Sequence, residues 1–270
     1  MGVVQANFVK LTDVVKNATI KPILRKNRVL FTPEVSHRLV VHCGHHKVGT
    51  YWFARILNGI AEHYGLDFQN CEQYYLKSET SFFMEQHSYI DKDLLPSHRG
   101  SHLIRDPRDM IVSGYYFHLW TKEDWAHLPV PELGFISYQK YLNSLPKEEG
   151  IAAEIRRTAK NIKDMARWNY QDPNFYEIKY EELINDEQTI FEKLFRHYGF
   201  TDEAVEVGLE QARKFSFKNV AKREIGSNDS KSHLRSGKPG QWRDEFSGDH
   251  IRLFEELTGD ALKVMGYQND

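Results

Sequence analysis

Residues 40–52 read VVHCGHHKVGTYW, an apolar run that breaks into glycine, two histidines, lysine, a second glycine and threonine. These residue types in this order suit an anion. A strand that ends in a glycine-containing turn and a helix start aims several backbone N–H groups, and the positive end of the helix dipole, at one point. Gly49 lets the backbone approach a bound group closely, Lys47 adds a mobile charge and Thr50 a hydroxyl, a set fit for a phosphate. An ordinary strand-to-helix turn with a surface lysine reads the same way. The nucleoside-triphosphate loop, G-x-x-x-x-G-K-[ST], is disfavoured by order: Gly44 and Gly49 have its spacing, but Lys47 precedes the second glycine and Thr50 stands where lysine is required. The dinucleotide fingerprint G-x-G-x-x-G is also missing.

The elements that must position this turn are legible around it. RLVVHCG reads as the first strand, and TYWFARILNGIAEHYG places Trp52, Phe53, Ile56, Leu57, Ile60 and Tyr64 at helical spacing with Gly65 as a stop. SFFMEQHS reads as a second strand and GSHLIRDP as a third, with Pro107 opening the helix RDMIVSGYYFHLW. A loop-rich insert over residues 121–150 precedes the helical IAAEIRRTAKNIKDMARWNYQ. NFYEIKY alternates as a strand, and EELINDEQTIFEKLFRHYGF follows with Leu183, Ile190, Leu194 and Tyr198 on one helical face. This alternation predicts an α/β fold with a central, mostly parallel sheet flanked by helices, and ligands at the carboxyl ends of its strands. We read residues 1–270 as a single domain with a core of about 38–246 and an N-terminal extension over 1–35.

Composition narrows the class. The chain of 270 residues is 40% hydrophobic and has 36 basic against 38 acidic residues, so no global field draws it to nucleic acid or an anionic membrane, and any anion site must be local. With Cys43 and Cys71 alone there is no disulfide framework, which fits a reducing compartment. The start MGVVQANFVKLTDVV lacks the pattern of a secretory signal, and no apolar run approaches the roughly 18 residues of a membrane span. Gly2 is a weak myristoylation cue because Ala6 stands where Ser or Thr is needed. The expected location is cytoplasmic.

Taken with three later segments, HKVGTYW resembles the 5′-phosphosulfate loop, P-K-S-G-T-T-W, of the sulfotransferases that use 3′-phosphoadenosine 5′-phosphosulfate (PAPS). LIRDPRDMIVSGYYFH is similar to that family's 3′-phosphate segment, with Arg105 and Ser113 eight residues apart. FYEIKYEELI resembles its Y-E-D-L strand, and LRSGKPGQWRDEF its R-x-G-x-x-G-x-W-[KR] loop. The four occur in the family's order from about Arg38 to Phe246. The resemblance implies a P-loop-nucleotide-hydrolase-like fold and PAPS as co-substrate. Physically, a donor with two anionic ends needs two basic clusters: Lys47 and the backbone of Gly49, Thr50, Tyr51 and Trp52 for the 5′ end, and Arg105, Ser113, Arg235 and the N–H groups of Ser236 and Gly237 for the 3′-phosphate. A local Arg105–Asp106 ion pair and a solvated Arg235 are the structural alternatives. By resemblance, Trp52 and Phe217 stack around the adenine and Tyr180 bonds its edge, although KFSFKNVAKREIG follows the family pattern only loosely.

Sulfuryl transfer requires deprotonation of the acceptor, in-line positioning, and neutralisation of the leaving oxygen. His87, in FFMEQHSYIDKDLLP, stands where the family has a histidine before L-L-P and is the expected base; its intrinsic pKa is near neutral. Glu85 competes, since strand alternation puts both on one face. Lys47 would neutralise the leaving phosphate. His46, Val48 and Tyr51 replace the family's proline, serine and second threonine, and His45 and His46 are unexplained by the pattern; adjacent histidines without a spaced partner make a poor metal site, and no metal is required. Phe82, Phe83, Tyr115, Phe117, Trp120 and Trp125 are candidates for an apolar acceptor cavity, the 121–150 insert for a substrate lid, and its Glu123, Asp124 and Glu132 for contacts to a cationic acceptor. The acceptor is a small molecule, by hydroxyl or amine; monomer and homodimer both stay open. An ATP-dependent small-molecule kinase and a non-catalytic phosphoadenosine-binding module are the alternatives.

Overall fold

All five residues of β1, Leu39–Cys43, are buried, as a parallel strand covered on both faces must be. The computed structural model describes residues 29–37, 39–227, 229, 232 and 235–268. Residues 1–28, most of the expected N-terminal extension with its Gly2 cue, lie outside the described residues, as does Arg38. Packing already begins at Leu30, which is buried, and Phe31 bridges to Phe200.

The chain runs β1, α1 (Thr50–Tyr64), β2 (Asp67–Asn70), β3 (Thr80–Glu85), β4 (His98–Ile104), α2 (Pro107–His118), the two-residue strands β5 (Pro129–Val130) and β6 (Ile136–Ser137), α3 (Tyr138–Ser144), α4 (Lys147–Ala166) and β7 (Phe175–Lys179). It closes with α5 (Tyr180–Asn185), α6 (Glu187–His197), α7 (Asp202–Phe215), α8 (Phe217–Ala221), α9 (Trp242–Glu245), α10 (Gly248–Thr258) and α11 (Ala261–Val264). The main sheet has the order β2-β3-β1-β4-β7, and each of its neighbouring pairs is parallel. The chain leaves β1 toward β3 and returns on its other side at β4, so the strand order reverses there and a crevice opens beyond the ends of β1 and β4.

Alternation along β1 and β3 divides the core. Val40, Phe82 and Met84 join Phe53, Ile56 and Ile60 of α1, Leu194 of α6 and Leu209 of α7 on one face. Leu39, Val41, Cys43 and Phe83 pack on the other, beside a third cluster in which Ile111 and Tyr115 of α2 meet Ile151, Ile155 and Ile162 of α4. The helix expected after the first strand is present with its apolar stripe buried. Gly65 closes it in the left-handed conformation (φ 68°).

Three expectations change. β2, with only intermediate and exposed residues, lacks the apolar signal of a strand and is held by pairing with β3. The helix expected over 181–200 breaks at Asp186, whose carboxylate caps α6 by accepting from Thr189 N–H. The insert is largely structured, with a 3₁₀ turn at Asp124–His127, the β5–β6 hairpin and α3.

Candidate active site

The loop between β1 and α1 is shaped by backbone requirements. Gly49 has φ 114°, and Lys47 before it has φ 68°, a conformation that non-glycine residues adopt at a cost and that clusters at functional sites. Thr50 Oγ1 donates to the His45 carbonyl at 2.9 Å, which ties the loop closed. The first turn of α1 has no side-chain cap and no acidic residue, leaving its N–H groups for an anion.

This loop borders a cavity of about 330 Å³ lined by Lys47, Gly49, Thr50, Tyr51, Trp52, His87, Arg105, Ser113, Tyr180, Phe217, Arg235, Ser236 and Gly237. Apart from Glu85, the residues expected from the sequence to bind donor or act in transfer are therefore gathered here, from six separate stretches of chain. Ala54, Asn70, Gln86, Ile184, Phe215 and Gln241 also line it without a signal in the sequence, as does Glu123, which was expected at the acceptor.

Electrostatics concentrate positive charge in a dry place. Burial, followed by the Arg105 guanidinium, lowers the Lys47 pKa to about 7, and its Nζ lies 3.9 Å from the centre of the Phe117 ring. Arg105 does not pair with Asp106, which holds Arg108 instead, at 2.8 Å. Arg105 leans on Asp109 at 3.7 Å and stacks over the Tyr180 ring at 4.5 Å. The Nε atoms of Arg105 and Arg235 and Nε1 of Trp52 are buried without a hydrogen-bond partner. Buried donors left unmade are costly, and all three belong to residues that line this one cavity. Tyr180 Oη donates to the Gly237 carbonyl at 3.0 Å, so in this structure the hydroxyl expected at an adenine edge secures the Arg235–Gly237 loop.

His87 and Glu85 part company. β3 ends at Glu85, so strand alternation does not extend to His87, which is exposed in the following turn. Glu85 is buried and its Oε2 accepts from the N–H groups of His87 at 3.0 Å and Tyr89 at 2.7 Å, a structural cap for that turn.

A second cavity, of about 590 Å³, adjoins the first and shares His46, Gln86, His87 and Glu123 with it. The apolar wall expected of an acceptor cavity is present only in part. Phe82 and Phe83 are fully buried in the sheet and Tyr115 packs in the α2–α4 core. Of the six aromatics, Phe117 lines the first cavity and Trp125 the second. The remaining wall is mixed: Tyr89 and Met110 stand beside Glu154, Arg157, Thr158 and Asn161, the last four recurring on α4 at i, i+3, i+4 and i+7, one helical face. From the insert, Glu123 and Trp125 reach the cavities, whereas Asp124 and Glu132 do not.

His45 and His46 face different partners. His45 Nε2 lies 2.9 Å from His102 Nε2, and His102 Nδ1 lies 2.7 Å from Glu177 Oε2. His46 Nε2 lies 3.2 Å from His118 Nε2, and His118 Nδ1 lies 2.9 Å from Glu154 Oε2. Burial pushes the pKa of His45 and His46 well below 6.5.

Comparison with known proteins supplies the context. The family model described as "Sulfotransferase domain" matches residues 101–266. A 3-beta-hydroxysteroid sulfotransferase of Cavia porcellus is 28% identical over 61% of this chain and 55% of its own length. The Homo sapiens Sulfotransferase 2A1 is 25% identical over 61% of this chain and 58% of its own. The chain thus matches little more than half the length of these relatives. Among solved structures, the mouse sulfotransferase SULT7A1 complexed with PAP superposes with TM-score 0.55 at 17% identity, covering 83% of this chain and 84% of that one. A retinol dehydratase in a complex with retinol and PAP gives TM-score 0.54 at 16% identity, covering 90% and 86%. At these identities the likeness is one of fold.

Proposed function

The chain belongs to the sulfotransferase domain family, and from that premise we propose that it moves a sulfuryl group from PAPS to a hydroxyl or amine of a small-molecule acceptor. The observation that carries this reading is the convergence in one cavity of Lys47 and the α1 N-terminus with Arg105, Ser113 and Arg235, two basic groups of the kind that a nucleotide with a 5′-phosphosulfate and a 3′-phosphate requires. The structures of similar fold that are named as complexes with PAP, the donor's desulfated product, support the same assignment.

In this reading the backbone N–H groups from Gly49 to Trp52 hold the 5′ end, and Trp52 and Phe217 enclose the base. Arg105, Ser113, Arg235 and the Ser236 and Gly237 amides hold the 3′-phosphate. His87, at the join of the two cavities, is the base that the family resemblance implies for the attacking group. The acceptor oxygen or nitrogen forms its bond to sulfur as the bond from sulfur to the bridging oxygen breaks, and Lys47 neutralises the charge left on the 5′-phosphate. The second cavity receives the acceptor, with the 121–150 insert as its lid. The mixed lining, Tyr89, Met110 and Trp125 beside Glu154, Arg157, Thr158 and Asn161, supports an acceptor with both apolar and polar parts.

The test is thermal unfolding with added nucleotide, followed by donor turnover. Adenosine 3′,5′-bisphosphate (PAP) at about 100 times its dissociation constant should stabilise the fold by roughly 2.7 kcal/mol, and Mg-ATP should not. Stabilisation by Mg-ATP alone, or PAP binding with no sulfate transfer to any hydroxyl or amine acceptor, overturns the reading.

A further inference from the structure

His46 stands where the family loop has proline, and its surroundings give it a task. It borders both cavities, beside Lys47 and therefore beside the bond that breaks if the first cavity holds the donor. Its Nε2 meets His118 Nε2 at 3.2 Å, the two rings lying nearly parallel. Behind His118 is Glu154, fully buried, accepting from His118 Nδ1 at 2.9 Å and from Tyr138 Oη at 2.8 Å. Glu154 Oε1 is buried with no partner. The other nitrogen of His46, Nδ1, makes no hydrogen bond among the described residues.

This order of groups sets the tautomers. With Glu154 ionised, His118 carries its proton on Nδ1, so its Nε2 presents a lone pair; His46 then donates from Nε2, and its Nδ1 keeps a lone pair free. The logic is that of a base oriented by a histidine that is itself oriented by a carboxylate. His45 has a similar chain behind it through His102 to Glu177, yet His45 is buried and does not border the donor cavity. Packing alone asks for neither a buried carboxylate behind a histidine pair nor an open nitrogen in front of it.

Resting on the sulfotransferase reading above, we propose that His46, in place of His87, is the general base of the transfer, held in its active tautomer by the positioning residues His118 and Glu154. The acceptor O–H bond breaks with its proton passing to His46 Nδ1. The oxygen's electron pair forms the O–S bond, and the pair of the breaking S–O bond leaves on the 5′-phosphate oxygen. The charge on the resulting imidazolium is shared through Nε2–H with His118 and offset by Glu154. Burial, Lys47, His118, His87 and Arg157 all act to keep His46 neutral before reaction, and Glu123 borders it from the insert; the anionic donor acts in the opposite sense.

Two measurements decide. Imidazole nitrogen NMR of the histidine-labelled, PAP-loaded protein, with signals assigned by His46→Gln and His118→Gln, should show His46 protonated on Nε2 and bare on Nδ1. A proton on Nδ1 overturns the proposal whatever the acceptor, whereas failure of PAP to bind overturns the sulfotransferase reading instead. With 2-naphthol, or whichever panel acceptor turns over best, Glu154→Gln and His118→Gln should lower kcat by about 100-fold while leaving PAP affinity and donor KM unchanged. They should also move the acid limb of the kcat profile to lower pH, and Glu154→Asp should recover part of the rate. Wild-type kcat and an unmoved acid limb in both variants overturn it.

Discussion

Asp109 and Gly240, 131 positions apart in sequence, are joined by a hydrogen bond of 2.6 Å from the Gly240 N–H to Asp109 Oδ2. The other oxygen, Oδ1, accepts from Trp242 N–H at 3.0 Å. One carboxylate on α2 thus fastens the loop that brings Arg235 to the cavity already holding Arg105. Replacing Asp109 by Ala removes two charge-assisted bonds and leaves two N–H groups without partners, a loss of about 3 kcal/mol of stability. PAP affinity should fall in parallel because Arg235 loses its mooring. Urea unfolding and calorimetric titration check the two effects; a stable variant with unchanged PAP binding contradicts the relationship.

Lys47 predicts a pH dependence of donor binding. Its pKa is lowered to about 7, and an anion beside it favours the ammonium form. Below about pH 7 the ammonium is already present and binding takes up no proton from this group. Above that value binding must protonate Lys47, so PAP affinity should fall as pH rises, by up to about tenfold per unit. Lys47→Arg, always charged, should flatten the profile over roughly pH 7–9. Titration calorimetry in buffers of different ionisation enthalpy reads the proton uptake directly.

Gly237 packs against Phe217 in a way no other residue can. Its φ is 69°, and a Cβ there would lie 2.9 Å from the Phe217 ring. Gly237→Val should cost roughly 1–3 kcal/mol through backbone strain, and displacement of the Phe217 ring should raise donor KM. Thermal unfolding and initial rates at varied donor check this, with Gly134→Val as comparison: it also has positive φ (69°), but a Cβ there meets nothing within 4 Å, so only the strain remains.

His87→Ala should lower turnover by roughly 100-fold or more if His87 takes the acceptor proton, and should leave PAP binding within about twofold, because the side chain is exposed at the cavity join. Steady-state rates and PAP titration together check the split. Full turnover in this variant removes His87 from the reaction.

Acid should unfold this protein early. His42 and His102 are held at pKa values of about 3 by burial, and His45 and His46 lie well below 6.5 for the same first cause. As pH falls through 6.5 the unfolded chain takes up protons that the folded chain refuses, so stability drops from there toward pH 3. Glu177 and Glu187, raised to about 7 by burial, act in the opposite sense between roughly 4.5 and 7 but are fewer. The urea midpoint should therefore be lower at pH 5 than at pH 7.5, and His102→Gln should weaken the dependence.

The apolar run of β1, the helical stripe from Trp52 to Tyr64 and the position of Pro107 made the βα framework readable, because each element's burial is written as its own local periodicity. The lining of the first cavity was readable for a related reason. A phosphate-binding loop is a backbone conformation, and Gly49, Lys47 and the segment from Arg105 to Ser113 encode it over short spans. β2 escaped because its strand state comes from pairing with β3, and the bounds of β3 mattered: with its end at Glu85, the alternation that would join Glu85 to His87 stops.

Adjacency in sequence foretold none of the long-range polar pairs. Arg105 stands next to Asp106, yet turns to Asp109 and Tyr180 because Arg108 occupies Asp106. His45 and His46 are neighbours, yet one faces His102 and the other His118. The six aromatics near the second and third strands could not be sorted by composition into core and cavity, since a phenyl ring satisfies either. By itself, then, the sequence determined the layered fold, the family and the residues that meet at the first cavity, all of which rest on local periodicity or on motifs a few residues long. Only the tertiary structure decided the mixed lining of the second cavity and the partners of the two histidines, because hydrogen bonds between α2 and α4, or across the sheet, depend on how the helices pack and leave no periodic mark along the chain.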